Sequence, residues 1–128
     1  MGKVTVSFTV FLLINPPFVV MIYKTAVWNV RGLNDNLKQK EVRFFVKNEG
    51  LNVFGLVETR IREVNATSIF ESNFPGWNFV NNYVCAELGR IWVCWNPNFV
   101  KVNVISMSNQ CINCWVSMFD SNVEFFAS

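Results

Sequence analysis

Val27-Trp28-Asn29-Val30-Arg31-Gly32-Leu33-Asn34 and Val53-Phe54-Gly55-Leu56-Val57-Glu58-Thr59-Arg60 are two apolar runs that end abruptly in polar residues. Between them, Leu37, Val42, Phe45 and Val46 form an apolar stripe near helical period, while Lys38, Lys40, Arg43 and Lys47 face out. Strand, helix, strand is a βαβ unit, and its two strands must run parallel. Parallel strands bring their C-terminal ends to one edge. Asn29 and Glu58 are therefore expected side by side at the carboxyl rim of a sheet, where open α/β folds place their ligands. A carboxylate beside an amide at that rim is a seat for a hard cation and a phosphate.

Working outward, the first strand is expected from Val19 to Val30, with Gly32 freeing the turn that follows. Asn34 or Asp35 can cap a helix running from Asn36 to Glu49, and Gly50 can end it. The second strand, Val53 to Val57, is apolar almost throughout, as a strand covered on both faces should be. A short helix is expected over Asn65 to Phe70, then a turn at Phe74-Pro75-Gly76. Strands follow at Trp77–Tyr83, Ile91–Trp95, Phe99–Met107, Ile112–Phe119 and Val123–Ala127, with Asp120-Ser121-Asn122 as a hairpin turn. The fold class is α/β: one βαβ unit followed by mostly antiparallel strands.

The 128 residues suit one domain, yet 52% are hydrophobic and only 16% charged, too few charges to coat the surface of a free-standing domain this small. The final strand also ends with no turn or charged tail, leaving a bare edge. Both features lead us to expect a truncated domain over residues 24–128. Residues 1–23 form an apolar leader, uncharged from Val4 to Tyr23. It is long enough to span a membrane, but Asn15-Pro16-Pro17 interrupts it. Any membrane association would have to run through residues 4–23.

Eight of the eleven basic residues lie between Lys24 and Arg62, which is compatible with a nucleic-acid partner. The chain has no histidine, so an imidazole base and a His-ligated metal are both excluded. Cys85, Cys94, Cys111 and Cys114 sit in apolar, strand-like sequence and read as reduced core thiols of an intracellular protein. Cys111 and Cys114 have metal-ligand spacing, but the other two match no common zinc knuckle. A dinucleotide-binding module is disfavoured, because no G-x-G-x-x-G follows the first strand.

Trp28-Asn29-Val30-Arg31-Gly32-Leu33-Asn34 with Gly55-Leu56-Val57-Glu58-Thr59-Arg60 resembles the opening of the endonuclease/exonuclease/phosphatase family. The similarity is closest to the apurinic-type endonuclease domain of plant LINE retrotransposons, whose later GRIWV strand is matched by Gly89-Arg90-Ile91-Trp92-Val93. The resemblance covers about Lys24 to Ser128. It implies the N-terminal half of a four-layered, DNase I-like α/β sandwich that hydrolyses phosphodiesters of DNA with a divalent metal, usually Mg2+. On that reading Glu58 is the metal ligand, Asn29 its catalytic companion, and Arg31 and Arg60 contact substrate phosphates. The family's Asp-x-Asn segment and its terminal Asp-His pair have no match among these residues, so the chain alone is expected to be inactive, with weak or no Mg2+ binding. The alternative is a non-enzymatic binding or membrane-associated protein that reuses the half-fold.

Overall fold

The computed structural model describes residues 4–9, 23–85, 90–118 and 123–127. The described elements are β1 (Val4–Thr9), β2 (Tyr23–Asn29), α1 (Asn36–Asn48), β3 (Val53–Val57), α2 (Glu63–Asn73), β4 (Asn78–Asn81), β5 (Ile91–Trp95), β6 (Val100–Met107), β7 (Ile112–Met118) and β8 (Val123–Ala127). They form a five-stranded sheet, ordered β1-β2-β3-β5-β4, and a three-stranded sheet, ordered β6-β7-β8. β2 and β3 are parallel, from Ala26 opposite Phe54 to Asn29 opposite Val57. The other pairings are antiparallel. The βαβ unit and the antiparallel run are thus both present.

Local chemistry sets the ends of α1. The Asp35 carboxylate accepts the Leu37 N–H at 2.9 Å, removing one of the orphan donors of the first turn. At the other end Gly50 takes a φ of +63°. The Leu51 N–H then reaches the Val46 carbonyl at 3.0 Å and the Gly50 N–H reaches that of Lys47 at 3.2 Å, the paired bonds of a Schellman stop. Val42 and Val46 are buried, and Phe45 meets Trp28 edge-on at 5.6 Å. Leu37, expected on the same stripe, is 63% exposed. It lies five residues before Val42, about 140° round the helix at 3.6 residues per turn, so it cannot share that face.

α2 is longer than the short helix read from the sequence and turns Ala66, Phe70 and Asn73 inward. Phe70 stacks on Phe79 at 4.2 Å and meets Trp92 edge-on at 6.1 Å. Asn73 ties the helices together. It accepts from the Arg43 guanidinium, and its amide donates to Gln39 Oε1 at 3.0 Å and to the Ile69 carbonyl at 2.8 Å. Arg43, assigned to the solvent face of α1, is therefore also part of a clamp.

Both helices cover one face of the large sheet, where Ala26, Trp28, Phe54, Leu56, Trp92 and Cys94 join their inward residues in one core. The opposite face supplies Val53, Val93 and Trp95, which meet Val100, Val102, Cys114 and Val116 of the small sheet. Among the described residues the architecture is three layers: helices, large sheet, small sheet. A cavity of about 190 Å3 lies between the two sheets, with Val27, Gly55, Val93 and Val116 in its walls. Along β6 the inward and outward alternation holds at Val100 and Val102 but not beyond. A register shift between Val104 and Ser106 resets the pleat, and Val104 and Ile105 are exposed.

All four cysteines are free thiols. Cys94 and Cys114 are buried as expected, but Cys111 is only half-buried and Cys85 is exposed, because the chain turns after β4 instead of extending it. Part of the stretch read as a leader, Val4–Thr9, pairs antiparallel with β2, from Val4 opposite Trp28 to Thr9 opposite Tyr23. Tyr23, its last residue, opens β2, and residues 1–3 and 10–22, together with the Asp120-Ser121-Asn122 turn, lie outside the described residues. No described helix is long and apolar enough to cross a membrane.

Candidate active site

The carboxyl ends of β2 and β3 continue as two loops laced together. The Val30 N–H donates to the Val57 carbonyl at 3.0 Å, that of Gly32 to Glu58 at 2.8 Å, and that of Leu33 to Thr59 at 2.8 Å. The Asn34 side-chain amide completes the series on the Arg60 carbonyl at 3.0 Å. On the other side of β3, the Glu58 N–H donates to the Arg90 carbonyl at 2.5 Å. The Glu58 main chain is thus gripped from both neighbours, and residues 29–34, 57–60 and 90 share one rim.

This rim holds every non-glycine residue with positive φ among the described residues: Arg31 at +49°, Glu58 at +56° and Arg60 at +55°. Left-handed backbone at a long side chain is uncommon and costs about 1–3 kcal/mol per residue, so such strain persists only where the surroundings over-determine it. Here the cross-loop ladder does so. Gly32, at φ +105°, sits where a side chain would add further strain.

The sequence-predicted residues are all on this rim, though not all in mutual contact. Asn29 stands opposite Val57, one residue before Glu58 in the adjacent strand. Its Oδ1 accepts the Arg31 N–H at 3.2 Å, closing an Asx turn that starts the left-handed step. The Glu58 carboxylate lies 3.7 Å from the Arg60 guanidinium, with the two side chains 42% and 61% exposed. At that exposure the pair contributes little to stability. It leaves the carboxylate open to an exchange of partner. Arg31, Arg60 and Arg90 are all exposed along this rim, and a rim with several guanidinium groups favours an anionic ligand.

Beneath the rim lies a buried polar cluster. Tyr83 donates its hydroxyl proton to the Ile61 carbonyl at 2.6 Å and accepts from Trp92 Nε1–H at 3.2 Å. The Thr59 hydroxyl is a further hydrogen-bond partner. Burial raises the Tyr83 phenol above its ordinary value, although the bonds from Trp92 and Thr59 oppose the shift. Thr59 is wholly buried. Thr59, Tyr83 and the Arg90 carbonyl were not found by sequence reasoning; the GRIWV strand carried Arg90 in plain view, but nothing in the chain order ties residue 59 to residue 83.

A solved endonuclease/exonuclease/phosphatase family protein from Bacteroides thetaiotaomicron superposes with a TM-score of 0.58 at 12% identity, over 80% of this chain and 48% of that one. The fold is that of the endonuclease/exonuclease/phosphatase proteins. A mannosyl-6-phosphatase from the same organism superposes with a TM-score of 0.56 at 11% identity, over the same shares of the two chains. The chain thus spans about half the length of the solved structures it matches. The sequence matches no protein-family model and no curated protein.

Proposed function

We propose that this chain carries one half of a metal-dependent phosphodiesterase site of the LINE endonuclease type, acting on DNA. One observation carries the reading: Asn29 and Glu58 occupy adjacent ends of parallel strands, on a strained rim fringed by arginines. In the proposed site Glu58 is the metal ligand, Asn29 the catalytic amide beside it, and Arg31 and Arg60 bind the phosphates that flank the scissile bond.

The donor chemistry suits Mg2+, since both oxygens are hard ligands. No group of three or more His, Cys, Asp or Glu gathers among the described residues, so most of the ion's shell would come from water and substrate oxygens, as is usual for Mg2+. A cation held by Glu58 would supply charge neutralisation at the phosphate and a more acidic attacking water. Arg60, now 3.7 Å from the Glu58 carboxylate, would be free to meet a phosphate, a pairing for which its planar fork is well shaped. The chain has no histidine to protonate the leaving group, the role the family gives to its terminal Asp-His pair. Hydrolysis therefore needs groups equivalent to the family's Asp-x-Asn and Asp-His motifs.

The test is nicking of supercoiled plasmid in Mg2+. We expect none from the chain alone, and activity once it is joined to a segment bearing those two motifs. Glu58→Ala in the joined protein should abolish nicking while its circular dichroism stays unchanged. Wild-type nicking by that variant would overturn the role given to Glu58.

A further inference from the structure

We propose that Tyr83 is the positioning residue of this rim, holding from beneath the left-handed turn that presents Glu58 and Arg60. The inference rests on reading Glu58 as a cation ligand, and extends it to a side chain that touches no ligand.

The geometry is specific. A tyrosine hydroxyl has one proton to give and two lone pairs to fill. In Tyr83 the proton goes to the Ile61 carbonyl at 2.6 Å, one acceptor position is filled by Trp92 Nε1–H at 3.2 Å, and the Thr59 hydroxyl supplies the remaining partner. The two bonds to the 58–61 segment land on the residues immediately before and after Arg60. Thr59 also directly follows Glu58. The two left-handed residues of β3's loop, Glu58 at +56° and Arg60 at +55°, thus alternate with the two that Tyr83 holds. Trp92 belongs to β5, and Tyr83 lies just beyond β4, so the hydroxyl is itself fixed by the sheet rather than by the loop it restrains. Tyr83 is buried, and Thr59 and Ile61 are fully so, which keeps water from replacing the hydroxyl when it is lost.

A satisfied core tyrosine would look similar in burial but would leave the rim unaffected when altered, and this separates the two roles. Tyr83→Phe removes the hydroxyl and keeps the ring; Thr59→Val removes one of its partners while keeping a β-branched side chain. In the 128-residue chain, NMR 13Cα and carbonyl shifts report the left-handed state of Glu58 and Arg60, and Mn2+ paramagnetic broadening reports cation affinity. We expect both variants to move the Glu58 and Arg60 shifts toward right-handed values and to weaken Mn2+ binding about tenfold, the lower end of what lost supporting contacts cost a metal site. The double variant should be little worse than either single one, since both act through one hydroxyl.

Unchanged shifts and unchanged Mn2+ affinity in either folded variant, with only a lower melting temperature, would overturn the proposal. If Tyr83→Phe does not fold, Thr59→Val decides alone. Glu58→Gln isolates the underlying reading. Should it leave Mn2+ binding intact, Glu58 is not the ligand, and the backbone shifts of Thr59→Val and Tyr83→Phe still decide whether Tyr83 shapes the turn.

Discussion

Single residues at the rim divide into those whose place follows from topology and those whose place follows from packing. Asn29 and Glu58 could be located in advance, because any βαβ unit delivers the tips of its two strands to one edge. The left-handed backbone of Arg31, Glu58 and Arg60 could not, since nothing in the preferences of arginine or glutamate favours it; it is imposed by bonds between segments distant in the chain, joined at Arg31 by the local Asx turn from Asn29. Gly32 is the exception, a residue whose type and conformation agree. Gly32→Ala should cost about 1–2 kcal/mol, because φ +105° is hostile to any Cβ, although the space itself is open, with only Arg60 Cδ near, at 3.8 Å. A urea midpoint lowered with unchanged slope would show this, and an unchanged midpoint would refute it.

Among the elements, α1 was the most legible, since its cap, its stop and its two buried valines are all written locally. The error at Leu37 came from counting apolar residues without following their angle round the axis. Asp35→Ala removes the bond to the Leu37 N–H and should destabilise by about 1 kcal/mol, read as a loss of thermal stability that Asp35→Ser largely restores. α2 extends past Asn65–Phe70 at both ends, to Glu63 and to Asn73, a poor helix former held in the last turn by its bonds to Arg43 and Gln39. β3 offers the reverse opportunity. Gly55 lacks positive φ, and a Cβ there would meet Val27 Cγ2 at 3.5 Å, an ordinary contact on the wall of the cavity between the sheets. Gly55→Ala should therefore stabilise by about 0.4–1 kcal/mol, chiefly by restricting the unfolded chain; a lower melting temperature would refute this.

For the whole molecule, composition foretold a surface short of charge, and the structure places one sheet between helices on one face and a second sheet on the other. How the two sheets stack was not legible, because period-two alternation says which residues turn inward but not what they meet. The interior also sets a pH response. Burial raises the Cys94 thiol well above, and the Cys114 thiol above, the ordinary value of 9.0, and raises Tyr83 above 10.0. The unfolded chain therefore loses these protons at lower pH than the fold does. Stability from these groups is complete below about pH 9 and declines as pH rises past it toward the folded values. Urea midpoints between pH 8 and 10.5 should fall, less steeply in Cys94→Ala; a flat profile would contradict the burial assigned to these thiols.

The lacing of the two loops has a consequence for how the protein is made. Asn29 and Arg60 are separated by one helix and its turns, so the two tips emerge from the ribosome before the antiparallel strands and close a comparatively short circuit. Their final contour waits for Tyr83, Arg90 and Trp92, which arrive later from the antiparallel strands. The order of synthesis thus supplies the two tips before the residues that brace them from beneath.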